Sequence, residues 1–147
     1  MKTILLCCII ITLGFCSCSK KKNPDIMGAW KFVQYQTIKG DSVFIEFPGK
    51  TDMDMTKIWT GNHFMCVGRS KVDTTVSDMY GMGTFKLDGN KYEENVKILF
   101  YKPWEGKTIK MTLEIKNDTL IQTYPVDDNG QMDKNWAWIE KYVRIRK

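Results

Sequence analysis

The chain has 147 residues, a formal net charge of +5 and a single histidine, His63. That length suits one domain with a single core and leaves little room for a second. Part of the positive excess is local, in Lys20, Lys21 and Lys22 and again in Lys141, Arg144, Arg146 and Lys147, and nucleic-acid binding is not implied.

The first predicted element is a leader, residues 1–17. Lys2 gives it a positive start and residues 4–15 an apolar run, the pattern of an export signal. A membrane-spanning helix would need about 20 apolar residues. Phe15-Cys16-Ser17-Cys18 resembles the processing box of bacterial lipoprotein signals, with Ser17 before the cut and Cys18 as the lipid acceptor. Ordinary secretion and an uncleaved anchor are the competing readings. Residues 18–27 read as a flexible tether whose lysines can sit beside anionic headgroups. With Cys7, Cys8 and Cys16 lost and Cys18 lipidated, Cys66 is the one cysteine left in the domain, residues 28–147. That domain must stand on packing without an internal disulfide. The neighbours Met65 and Val67 predict a buried Cys66 thiol. Ser19, where an aspartate would favour inner-membrane retention, and the basic tether point to the periplasmic face of the outer membrane, with surface exposure as the alternative.

From residue 28 the pattern becomes short apolar and aromatic segments broken by glycine, asparagine and aspartate. It predicts strands over 29–38, 43–47, 56–60, 63–68, 83–87, 91–101, 107–116, 119–124 and 136–146, with no long helix between them. Gly61-Asn62, Asp88-Gly89-Asn90 and Asn117-Asp118 supply residues that accept the positive φ of tight hairpins. Asp127-Asp128-Asn129-Gly130 marks a wider loop whose spacing does not match a helix-loop-helix calcium site. Alternation is clearest in 107–116, where Ile109, Met111, Leu113 and Ile115 share one face. Tyr92, Glu94, Val96, Ile98 and Phe100 share a face of 91–101. Trp136, Trp138, Glu140, Tyr142 and Arg144 share one in the last strand. A long antiparallel meander left open exposes two pairing edges, and closure satisfies both. The expected fold class is all-β, an antiparallel up-and-down β-barrel of about 8–10 strands, with a sandwich as the alternative.

Gly28-Ala29-Trp30 opens the first strand with a Gly-x-Trp pattern that resembles the entry motif of lipocalins and their bacterial relatives. Further segments resemble, in order, the elements of small lipocalin-like lipoproteins of Bacteroides-type bacteria, a domain family of largely unknown function. These are Thr60-Gly61-Asn62-His63-Phe64, Gly81-Met82-Gly83-Thr84-Phe85, Asn90-Lys91-Tyr92-Glu93-Glu94 and residues 142–146. The resemblance spans residues 28–147. It implies a lipocalin-like barrel in which Trp30 crosses the closed end and an arginine of the last strand lies over its ring. Arg144 matches that arginine, with Arg146 as fallback. Gly28, Trp30 and Arg144 would then form a structural clasp with no chemical role. The chain departs from many secreted lipocalins in lacking a disulfide and a long helix before the final strand.

An open barrel would draw a ligand-binding wall from Trp59, Phe64, Tyr92, Met111, Tyr124 and Trp138, which join apolar area to a few polar tips. A filled core of the same residues is the alternative. Glu94 shares the face of Tyr92 and Val96, so pointing inward it would need a cation, a hydroxyl partner or a proton. His63 follows a tight turn, where it can meet ligand, solvent or a carboxylate. His63 and Cys66 project to opposite faces of a strand, so no metal site is expected. No serine motif, phosphate-binding glycine loop or nicotinamide pattern is present, so neither a cofactor nor an enzyme is expected. The expectation is a lipid-anchored envelope protein, held to the membrane through Cys18, that binds or shelters a hydrophobic small molecule in its barrel. The alternative is a structural or accessory lipoprotein with a filled barrel, whose surface around Trp104 or Trp136 contacts an envelope protein or a glycan.

Overall fold

The computed structural model describes residues 23–146; Cys18 and the leader lie outside the described residues. Nine strands follow one another: β1 (Gly28–Lys39), β2 (Ser42–Phe47), β3 (Asp52–Thr60), β4 (His63–Val72), β5 (Thr75–Asp88), β6 (Lys91–Leu99), β7 (Thr108–Lys116), β8 (Thr119–Tyr124) and β9 (Ala137–Arg144). β1 closes the sheet on itself. One of its edges pairs with β9 from Trp30↔Arg144 to Ile38↔Ala137, and the other pairs with β3 from Gly28↔Trp59 to Lys31↔Thr56. Eight strands, β1 and β3 to β9, thus form a closed antiparallel barrel of lipocalin-like architecture, which resolves the edge problem of a long meander. β2 folds back on the part of β1 that β3 leaves free, pairing Tyr35↔Phe47 to Lys39↔Ser42.

Each predicted segment is a strand, and the one helical piece among the described residues is a 3-10 turn at Lys102–Trp104. The hairpins turn where glycine and Asx residues stand: Gly61 and Gly89 have φ 57° and 60°, Asn117 and Asp118 φ 48° and 62°. The β4–β5 hairpin is longer than its predicted strands, with Asp73 at φ 53° in its turn. Residues 69–78 are mostly polar, so they carry no hydrophobic alternation by which a strand is recognised. A second difference lies in β6. Its register against β5 shifts between Met82↔Ile98 and Gly83↔Val96, leaving Lys97 as an extra residue. Such a bulge reverses which side chains face inward. Ile98, expected beside Val96, is turned out at 44% exposure, and Leu99 takes the inner position.

One end of the barrel is filled. Trp30, Trp59, Tyr92, Leu113 and Leu120 are fully buried there, and the equally buried Phe32 and Tyr142 stand at its boundary with the other half. The Trp30 indole N–H donates to the Ile26 carbonyl at 2.8 Å, and the Arg144 guanidinium lies 4.2 Å from the Trp30 ring centre. Arg144 also donates to the carbonyls of Met27 and Asp25, each at 2.6 Å. Gly28 passes beneath it at φ 105°, a conformation that favours glycine. Gly28, Trp30 and Arg144 therefore meet as the resemblance implies, and the guanidinium–indole contact alone contributes about 0.5–2 kcal/mol.

The clasp extends further back along the chain than the sequence suggests. Residues 23–27, read there as part of a flexible tether, are packed on the barrel. Ile26 is fully buried. The Asn23 side chain brackets the β5–β6 turn, donating to the Leu87 carbonyl at 3.0 Å and accepting from the Gly89 N–H at 2.7 Å. A polar, proline-containing stretch conceals the single isoleucine that plugs this end.

Candidate functional site

The other half of the barrel is not filled. It holds a cavity of about 590 Å³ whose wall is mostly apolar, within the size range of small-molecule sites, about 300–1,000 Å³. The cavity reaches the end opposite the clasp, where Met53, Met79, Trp104, Trp136 and Trp138 line it. Trp136 is 48% exposed, so the lining runs out to the surface.

The floor is polar. Strand alternation turns Met53, Met55, Lys57 and Trp59 of β3 inward. Lys57 is buried, with its Nζ 2.5 Å from Glu94 Oε1. It donates to Gln122 Oε1 at 3.2 Å and stands 5.1 and 5.2 Å from the ring centres of Trp59 and Phe64. Glu94 also accepts from the Tyr92 hydroxyl at 2.8 Å, and that hydroxyl accepts from the Trp59 N–H at 2.7 Å. The Gln122 amide N–H turns to the Met111 sulfur. Among the described residues no buried side-chain nitrogen or oxygen lacks a partner. Burial opposes the Lys57 charge, but the neighbouring Glu94, with Glu140 behind it, raises the Lys57 pKa above its ordinary value. The ammonium is therefore charged at neutral pH. Burial first, and Glu94 second, hold the Tyr92 phenol well above its usual range, so it remains a donor.

Glu140 stands on the wall between floor and mouth. It accepts from the hydroxyls of Tyr124 at 2.6 Å and Tyr142 at 2.5 Å. Burial, followed by the Glu140 charge, pushes both phenols well above their normal range. Trp138, one inward position nearer the mouth, packs on Tyr124 at 5.4 Å, Trp104 at 5.5 Å and Trp136 at 4.1 Å between ring centres. Cys66 also lines the wall. It is half-buried rather than fully buried, and desolvation still pushes its thiol up to about 12, against the opposing pull of Lys57. A thiol held neutral is a poor nucleophile and a poor metal ligand. The arrangement can orient a bound molecule by charge and hydrogen bonding while apolar walls exclude water.

Of the residues expected at a ligand wall, Phe64, Glu94, Met111, Tyr124 and Trp138 line the cavity. Trp59 and Tyr92 lie beneath it, fully buried, and reach it by a relay in which Trp59 donates to the Tyr92 hydroxyl and that hydroxyl donates to Glu94. His63 is not brought to the cavity. It is exposed at the β3–β4 turn of the filled end, opposite Thr60 and Thr84, because the alternation that turns Phe64 inward turns His63 out. Lys57, Gln122 and Glu140 are site residues that the sequence reading did not single out. Their signal is a polar residue in an inward apolar row: Lys57 between Met55 and Trp59, Gln122 between Leu120 and Tyr124, Glu140 between Trp138 and Tyr142. No protein-family model matches this chain, and neither does any curated protein. The barrel and its half-open interior stand on the chain's own geometry.

Proposed function

We propose that this chain is a non-catalytic, lipid-anchored envelope protein, lipocalin-like in kind, that binds or shelters a hydrophobic small molecule in its barrel. The observation that carries this reading is the unfilled half of the barrel, about 590 Å³ of mostly apolar space above a fixed polar floor. Burial of ligand surface there contributes about 25 cal/mol per Å² of apolar area. Lipidation at Cys18 would tether the molecule at its filled end, since the chain enters the barrel beside the clasp through Asn23 and Ile26. The mouth would then face away from the membrane, open to solutes of the periplasm.

Native mass spectrometry of gently purified protein, followed by extraction, should reveal a co-purified small molecule. Repeated absence of one, together with unchanged tryptophan fluorescence across a panel of lipids and aromatic metabolites, counts against the carrier reading. Separately, Cys18→Ala should release the folded domain from membranes, and persistent integral association would sink the lipidation proposal. An accessory role in contacting another envelope protein finds support in β2, where Val43, Phe44 and Ile45 are 58%, 41% and 49% exposed.

A further inference from the structure

The cavity lining carries unequal charge. Its charged residues are one cation, Lys57, and two carboxylates, Glu94 and Glu140. Lys57 is in contact with Glu94 at 2.5 Å and acts on Glu140 only from beyond contact distance. Glu140 has no ion-pair partner among the described residues. Its two hydrogen-bond partners, Tyr124 and Tyr142, are neutral donors. They remain so because burial and the Glu140 charge disfavour their ionisation. They can solvate the carboxylate but cannot balance it. A carboxylate offers about four acceptor sites, and the tyrosines occupy two.

Resting on the reading of this cavity as a ligand site, the geometry points to a specific ligand class: a small organic amine, bound as its ammonium ion, whose charged nitrogen meets Glu140 while its apolar body fills the space toward the mouth. The surroundings suit a cation in a second, independent way. Trp138, the next inward residue of β9 towards the mouth, lines the same cavity as Glu140, and Tyr124 and Trp104 pack around Trp138 at 5.4 and 5.5 Å. Aromatic faces attract ammonium through their quadrupole, most strongly when water is excluded. A carboxylate ligand would bring a third negative charge into a lining that already has an excess of one. A neutral ligand would leave Glu140 half-solvated and unbalanced as water is displaced. An ammonium corrects both deficits at once.

The test is isothermal titration calorimetry of the full mature protein with three probes that share one ring system and differ in the head group: 2-(1-naphthyl)ethylamine, 2-(1-naphthyl)ethanol and 1-naphthylacetate. The amine should bind tighter than the alcohol by about ten- to hundredfold, the range of a charge-assisted hydrogen bond with a cation–aromatic contribution, and the carboxylate should bind weakest. Glu140→Gln should weaken amine binding far more than alcohol binding and so remove the preference for the amine, and Glu140→Asp should retain it. Should Glu140→Gln fail to fold, the ranking of the three probes on the unaltered protein still decides. Equal binding of amine, alcohol and carboxylate overturns the inference and leaves the cavity reading standing. Binding of none of them also overturns it, and the co-purified ligand experiment then decides the cavity reading by itself.

Discussion

Lys57 keeps its charge inside the barrel because Glu94, Gln122 and two aromatic faces replace the water it has lost. The pair is useful to the fold only while both members are present, since removing one leaves an uncompensated buried charge. Lys57→Met should therefore cost about 3–5 kcal/mol in urea unfolding. Lys57→Met combined with Glu94→Gln should recover most of that loss, because the glutamine still accepts from Tyr92 and carries no charge. Additive losses in the two single variants and the double one would show the pair to be uncoupled. The need of Glu94 for a partner was legible from Tyr92 and Val96 on either side of it. Its cationic partner was not, because Lys57 lies on β3 and Glu94 on β6, which are not neighbours in the sheet. Period-2 alternation tells which face a residue takes and nothing about what stands across the interior.

At the scale of the element, the instructive segment is the β5–β6 pair. Gly83 sits where the register shifts, and a methyl group added there would lie 2.1 Å from the Asn95 carbonyl oxygen and 2.9 Å from Phe64 Cε1. The nearer obstacle is backbone of the paired strand, which cannot rotate away as a side chain can. Gly83→Ala should therefore destabilise by about 1–3 kcal/mol, seen as a lower urea midpoint. A change within about 0.5 kcal/mol would mean that β6 shifts freely. Strand existence was legible throughout from aromatic and β-branched runs between turn residues. The bulge at Lys97 was not, because nothing in Val96-Lys97-Ile98-Leu99 distinguishes regular pleating from pleating with one residue added. The extension of β4 and β5 beyond residue 68 escaped for a different reason: pairing holds it, and hydrophobic patterning does not mark it.

The whole molecule is polar in construction, with a filled end closed by Ile26, Trp30 and Arg144 and a half-open end where the aromatic mouth stands. Its interior also biases how it answers pH. The Cys66 thiol is pushed up to about 12 by burial, and Tyr92, Tyr124 and Tyr142 are raised well above their ordinary value by burial and by Glu94 or Glu140. Each group holds its proton more tightly folded than unfolded. Their contribution to stability is thus complete below the unfolded values, 9.0 for the thiol and 10.0 for the phenols, and is lost as pH rises through the raised ones. The urea midpoint should fall substantially between about pH 8 and about pH 11, and a midpoint constant over that interval would contradict the burial of these groups.

The amino-acid pattern alone carried the all-β class, the order of nine strands and the hairpin turns, because these depend on local alternation and positive-φ residues, and through the Gly-x-Trp resemblance it implied that Gly28 and Trp30 meet Arg144. It also marked Glu94 as an inward carboxylate in need of a partner. Only the packed barrel decided that Ile26 plugs one end, that Lys57 meets Glu94 across the interior, and that this interior is filled over one half and hollow over the other. Those outcomes depend on which side chains meet across the barrel and how much volume they occupy there, and no interval along the chain encodes that sum.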